Sequence, residues 1–292
     1  MSEPATDPSS TDTRANPAPA APETGHPGQG GANAITARLR DVCDEAGPWA
    51  RITSTLFQRE FLGYFRTPIA YVFLCAMVLL LNGILWSRVG GFFERETADL
   101  DEFFFWMHVI FLLLMPAVGM RLWAEERRSG TWELLFTYPI TVTQAVVAKF
   151  LAAWAFVTIA IALTFTMPVT IGILGEPDWG PVISGYIGAI LLAGGYLSLC
   201  SLGSALTRNQ VIGFVIGLGL CAVMFLIGFD VWKAILTGLG LPVTVVDGLA
   251  NFGFIPHFEP LTRGLVRIGD VLHFLAFATA MLSLNVLALQ RN

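Results

Sequence analysis

Six long uncharged runs, separated by short charged stretches, constrain this chain more than any other feature. They lie between Arg66 and Arg88, Glu102 and Arg121, Lys149 and Glu176, Asp178 and Arg208, Arg208 and Asp230, and Asp270 and Arg291. At 1.5 Å per helical residue each can cross about 30 Å of hydrocarbon, the second only just. In a bilayer each span must satisfy its own backbone hydrogen bonds, so the runs read as six membrane helices of an all-α integral membrane protein. The stretch between Asp230 and Asp270 holds shorter apolar pieces broken by Gly and Pro. These predict interfacial or re-entrant helices, not a seventh span. Only 13% of the residues are charged, about half the soluble norm.

The most informative polar stretch is Met120 to Lys149, between the second and third runs. Arg121, Glu125, Glu126, Arg127, Arg128 and Glu133 crowd its first half. Burying six charges at the bilayer centre would cost on the order of 15–20 kcal/mol, so the stretch stays in water. Gly130 ends whatever precedes it. Thr131 can cap a new helix with Glu133 in its first turn, and Pro139 closes that helix after about two turns. Thr141 and Gln144 have the spacing of a capping box that opens the third span. A short helix on the tips of two membrane helices is suited to receiving or delivering force.

Upstream, residues 1–34 contain six prolines, four glycines and no aromatic or branched aliphatic residue. Such a segment cannot offset its ordering entropy and is expected to be a disordered tail. It has no apolar core of the kind a secretory signal needs. Residues 35–66 are expected to form a cytoplasmic amphipathic segment. In Arg51 to Arg66, Phe57, Phe61, Tyr64 and Phe65 share one arc at 100° per residue, with Arg59 and Arg66 opposite. That arc suits either the membrane interface or a packing face on other protein. Thr67-Pro68 supplies an N-cap and a first-turn proline for the first span.

Arg and Lys near the span ends set the orientation. Nine lie on the N-terminal side (Arg51, Arg59, Arg66, Arg121, Arg127, Arg128, Lys149, Arg208, Arg291). Five lie on the other (Arg88, Arg95, Lys233, Arg263, Arg267). The positive-inside rule then puts both termini and the 121–149 stretch in the cytoplasm.

The stretches FQREFLGYFRTPIAYV (57–72), LLLMPAVGMRLWAEERRSGTWELLFTYPITVTQAVVAKF (112–150), ALTRNQV (205–211) and HFEPLTRGLVRIGDVLHF (257–274) resemble ABC-2-type transporter permeases. The likeness is greatest to the gliding-motility-associated and nitrous-oxide-operon-like branch, and covers about residues 50–292. It implies a six-helix domain over 67–292, preceded by a connecting (elbow) helix. It also implies a second permease copy or a sister permease, two cytoplasmic ATP-binding subunits that hydrolyse the ATP, export, and a bacterial inner (plasma) membrane. The residues carried over for coupling to the ATP-binding subunit are Glu126, Gly130, Thr131, Glu133, Leu134 and Pro139. No cofactor is implied on this chain. The glutamates would offer carboxylates to basic groups on a partner, or else pair with Arg127 and Arg128.

Other chemistry has little support. The chain has no Gly-Lys dipeptide, hence no phosphate-cradling loop of the GxxxxGK[ST] type, and nothing favours nucleic acid. Cys43, Cys75, Cys200 and Cys221 show no CxxC spacing and read as packing residues, with no metal site. An intramembrane serine protease would need Ser201 or Ser204 with His273, but no GxSG occurs; a non-transporting scaffold is the other alternative. His108 inside the second span is a candidate for the transport pathway or for a bond to a neighbouring helix. Gly213, Gly217 and Cys221 put small residues on one face of the fifth span, suited to close packing within the bundle or at a dimer seam. Pro116 and Pro168 should kink or loosen their helices.

Overall fold

The computed structural model describes residues 47, 49–87, 100–130, 140–175 and 177–291. Residues 1–47 and 48–292 form separate units, and the elements below belong to the second. The tail expected over 1–34 and the segment 35–46 lie outside the described residues. So do Thr131, Glu133, Leu134 and Pro139, and with them the helix expected between Gly130 and Pro139.

The described residues contain helices and no strand. Helix α1 covers residues 49–65. It is followed by α2 (Pro68–Trp86), α3 (Asp101–Gly119), α4 (Ala124–Ser129), α5 (Val142–Leu163), α6 (Thr166–Leu174), α7 (Trp179–Ala205) and α8 (Gln210–Ile227). Three short helices, α9 (Asp230–Gly238), α10 (Val243–Phe252) and α11 (Ile255–Thr262), precede the last, α12 (Ile268–Arg291). Six stretches are long and apolar enough to cross a membrane: α2, α3 with α4, α5 with α6, α7, α8 and α12. The 230–262 region forms helices of eight to ten residues, each too short to span.

Local chemistry sets the ends. Thr141 accepts from the Gln144 N–H at 3.2 Å while the Gln144 side chain accepts from the Thr141 N–H at 2.9 Å, a complete capping box on α5. Asp178 and Asn209 cap α7 and α8 through Gly180 and Val211. Thr67 and Pro68 occupy the N-cap and first-turn positions of α2. The Thr67 hydroxyl, however, donates back to the Tyr64 carbonyl at 2.9 Å, tying α2 to α1. The third span breaks at Thr164, four residues before Pro168, whose missing N–H and bulky ring cannot accept the helical geometry there. Pro116, by contrast, lies within a continuous α3.

Helix α7 is the centre of the bundle, packed against α3, α5, α8, α11 and α12. Of its most apolar window 78% is buried, against 17% for α8 and α12, which turn most of their surface outward. Small residues make this possible. A Cβ on Gly119 of α3 would collide with Cys200, and one on Gly185 of α7 with the Phe104 ring. The face of α8 carrying Gly213, Gly217 and Cys221 is its only buried face. It lies on Cys200 and Ser204 of α7, with the two thiols 3.3 Å apart. The small-residue stripe therefore joins two helices of one chain. In α1, Phe57 stacks on Phe61, and Tyr64 stacks on Phe156 of α5 at 4.9 Å. The second half of that aromatic arc is thus a protein-packing face.

Candidate functional site

Ion pairs and hydrogen bonds bring α1, the α3–α4 junction, the start of α5 and the end of α7 together at one face of the bundle. There Lys149, only 7% exposed at its side chain, sits between two carboxylates. Its Nζ lies 2.7 Å from Oε1 of Glu126 on α4 and 3.0 Å from Oε2 of Glu60 on α1. Arg59 closes the chain on the other Glu60 oxygen at 2.7 Å, giving two cations and two anions in sequence. The ammonium also lies 5.5 Å from the centre of the Trp123 ring, within cation–π range. Burial alone would raise the Glu60 carboxyl, but Lys149 and Arg59 outweigh it and hold the group below its usual value.

The turn from α3 into α4 is fastened to α7 as well. One hydroxyl, that of Ser204, accepts from the backbone N–H groups of Trp123 and Ala124 at 3.1 and 3.0 Å. It donates to the Met120 carbonyl at 2.9 Å. It thereby satisfies backbone groups that a helix break leaves without partners. The buried Trp123 indole donates to Ser201 at 3.2 Å, and Asn285 of α12 donates to the same hydroxyl at 2.6 Å. The Arg127 guanidinium reaches the Ala205 carbonyl at the end of α7. Gly130 stops α4 in the left-handed region at φ 72°, where glycine carries no steric cost.

One oxygen of Glu126 thus pairs with Lys149 of its own chain. The hydroxyls of Ser201 and Ser204 are committed to Trp123, Ala124, Met120 and Asn285. His273 stacks instead on His257, so the serines and the histidine do not meet as nucleophile and base. The sequence points to Glu126 and the two serines but not to Lys149 as the partner of Glu126, nor to Glu60 beyond it. The available signal was Lys149 itself, one of two lysines in the chain, placed just inside an apolar span where ionisable groups are rare.

The opposite face holds a cavity of about 460 Å³ between the start of α3, the end of α8, α9 and α11. Phe105, Phe225, Phe229 and Phe258 line it, with Asp101, Glu259 and Lys233 among its charged residues. His108 also lines it, and its Nε2 is 2.6 Å from the Tyr196 hydroxyl of α7. Both readings of His108 therefore meet in one place, a bond to a neighbouring helix and a position on a cavity. Gly213 and Gly217 do not line this cavity.

A family model described as ABC-2 family transporter protein matches residues 56–245, from the middle of α1 into α10. Comparison with curated proteins finds no match. The matched stretch covers well over half the chain, including the first five spans and the whole Lys149 node. The chain belongs to the ABC-2 transporter family and is a multi-pass membrane permease subunit of an ABC transporter.

Proposed function

We propose that this permease is the membrane half of an exporter driven by ATP hydrolysed on separate cytoplasmic subunits. The face carrying α1, α4 and the Lys149 node is the cytoplasmic one, by the nine-to-five excess of Arg and Lys. Both termini then lie in the cytoplasm, and the membrane is the bacterial inner membrane. The ATP-binding partner docks on the 121–139 segment, with Glu126, Gly130, Thr131, Glu133, Leu134 and Pro139 as its coupling residues. Glu133 offers its carboxylate to basic groups of the partner. Glu126 acts differently: it anchors the moving part to Lys149. Two copies, or this chain and a sister permease, enclose the path. No cofactor is bound on this chain. The resemblance to the gliding-motility-associated and nitrous-oxide-operon-like branch belongs to the same reading.

The observation that carries this proposal is the junction of α4 with three other elements. Displacement of α4 is passed to α5 and α1 through Lys149, and to α7 through Ser204 and Arg127. Because α7 is the bundle centre, a push at the cytoplasmic face reaches the helices that wall the cavity on the other side. Such coupling requires the partner to bind α4 differently in its two nucleotide states. The test is purification in mild detergent. A co-purifying subunit with a P-loop, whose ATPase responds to this permease, is expected. A permease that transports in proteoliposomes without any such subunit would refute the proposal.

A further inference from the structure

On the face opposite α1, His257 of α11 has both ring nitrogens on acceptors. Nδ1 is 2.7 Å from Oδ1 of Asp270 on α12, and Nε2 is 2.9 Å from the Asn251 carbonyl on α10. A carbonyl only accepts, so Nε2 carries a proton. The Nδ1–carboxyl contact needs another proton between its two atoms. The pair therefore holds one proton more than a neutral imidazole facing an ionised aspartate. Asp270 is 6% exposed, and its second oxygen has no hydrogen-bond partner among the described residues. The extra proton is what offsets that buried carboxylate.

From α3, the Phe104 and His108 rings pack on Phe258 of α11. From α12, His273 stacks on His257 with ring centres 3.9 Å apart, and its Nε2 is buried without a hydrogen-bond partner among the described residues. Two cationic rings at that separation would repel, so His273 is the neutral member. Helix α10 carries one charged residue, Asp247, a turn before Asn251. On α11 itself, Glu259 pairs with Arg263, the residue that ends the helix. Arg267 is exposed ahead of α12, and α7 behind α11 has no charged side chain. Helix α11 also supplies Ile255, Phe258, Glu259 and Thr262 to the wall of the 460 Å³ cavity.

We propose that His257 and Asp270 form a proton-operated clasp that fixes α11, one wall of this cavity, to α10 and α12. With the extra proton bound, both bonds hold. When it leaves, His257 can donate from one nitrogen only, one bond opens, and α11 loosens. The clasp closes on the acid side, where the extra proton is held, and opens as pH rises and the proton is lost.

The test is hydrogen exchange of the full chain in lipid nanodiscs, following amides 255–263 at about pH 5.5 and about pH 8, corrected for intrinsic exchange. The wild type should lose about tenfold protection between the two, the scale of one hydrogen bond to a charged group. His257→Gln should be poorly protected at both values, and His273→Phe should keep the wild-type response. Flat wild-type protection, a wild-type response in His257→Gln, or its loss in His273→Phe would overturn the clasp. Nitrogen-15 spectra of the histidine-labelled chain provide a check that needs no variant to fold well. At the acid end the signal assigned to His257 must show both nitrogens protonated; a neutral tautomer there would also overturn it.

Discussion

Replacing Lys149 tests whether the node on the α1 face is held by charge compensation or by packing. Lys149→Met keeps most of the stem but removes the cation, and with it the cation–π contact with Trp123. Glu60 keeps Arg59 at 2.7 Å, whereas Glu126, with its side chain 22% exposed, loses the charge 2.7 Å away. Removing one partner of a buried pair costs about 3–5 kcal/mol. The residual exposure of Glu126 brings the expected loss to the lower end, about 3 kcal/mol. Removing the Glu126 charge as well should restore most of it. Lys149→Met with Glu126→Gln is expected within about 1 kcal/mol of wild type, since an apolar replacement of a buried pair is often neutral. Equilibrium unfolding in mixed micelles, followed by tryptophan fluorescence, measures both. If the double variant is as unstable as the single, loss of the Lys149–Glu126 ion pair is not the cause and the reasoning fails. Acid supplies a second reading of the same node. Because Glu60 titrates below its usual 4.5, its contribution is fully present above that value and is lost as pH falls through the depressed one. Wild type should therefore lose stability in that acid range, and Glu60→Gln should lose less.

Gly119→Ala should destabilise by about 1–3 kcal/mol in the same unfolding assay, because its new methyl meets Cys200 on the bundle centre, while Gly219→Ala, with nothing within 4 Å, should be nearly silent. Glu133→Arg should abolish partner-stimulated ATPase or transport while leaving membrane insertion intact; unchanged activity would remove Glu133 from the coupling surface. In a background without native cysteines, Asp178→Cys should react with an impermeant maleimide from outside intact cells and Ser129→Cys should not, and the reverse pattern would invert the proposed topology.

The parts of the structure legible in the sequence are those set by composition or by neighbours along the chain. Six spans follow from charge cost alone. The Thr141–Gln144 box and the Gly130 stop depend on residues three apart or on a single residue's backbone freedom. What was not legible depends on distant pairs. Lys149 meets a glutamate 89 positions earlier, and Trp123 meets a serine 78 positions later. No periodicity encodes such meetings. The polar stretch was read as water-exposed because six charges are costly in lipid, yet two of its residues, Trp123 and Ala124, are fully buried against α5 and α7. The small-residue stripe on α8 illustrates the same limit. Gly213, Gly217 and Cys221 announce close approach, but only tertiary packing decides that the approaching helix is α7.

The bond between His108 and Tyr196 joins residues 88 positions apart. At roughly 5–20 residues per second, the ribosome needs on the order of 5–20 s to make the second after the first. Through that interval a nascent α3 carries an imidazole into the hydrocarbon with no phenol to receive it. Biogenesis of this permease therefore includes a waiting period in which the insertion machinery, or a neighbouring nascent helix, must shelter one polar ring until the fourth span arrives.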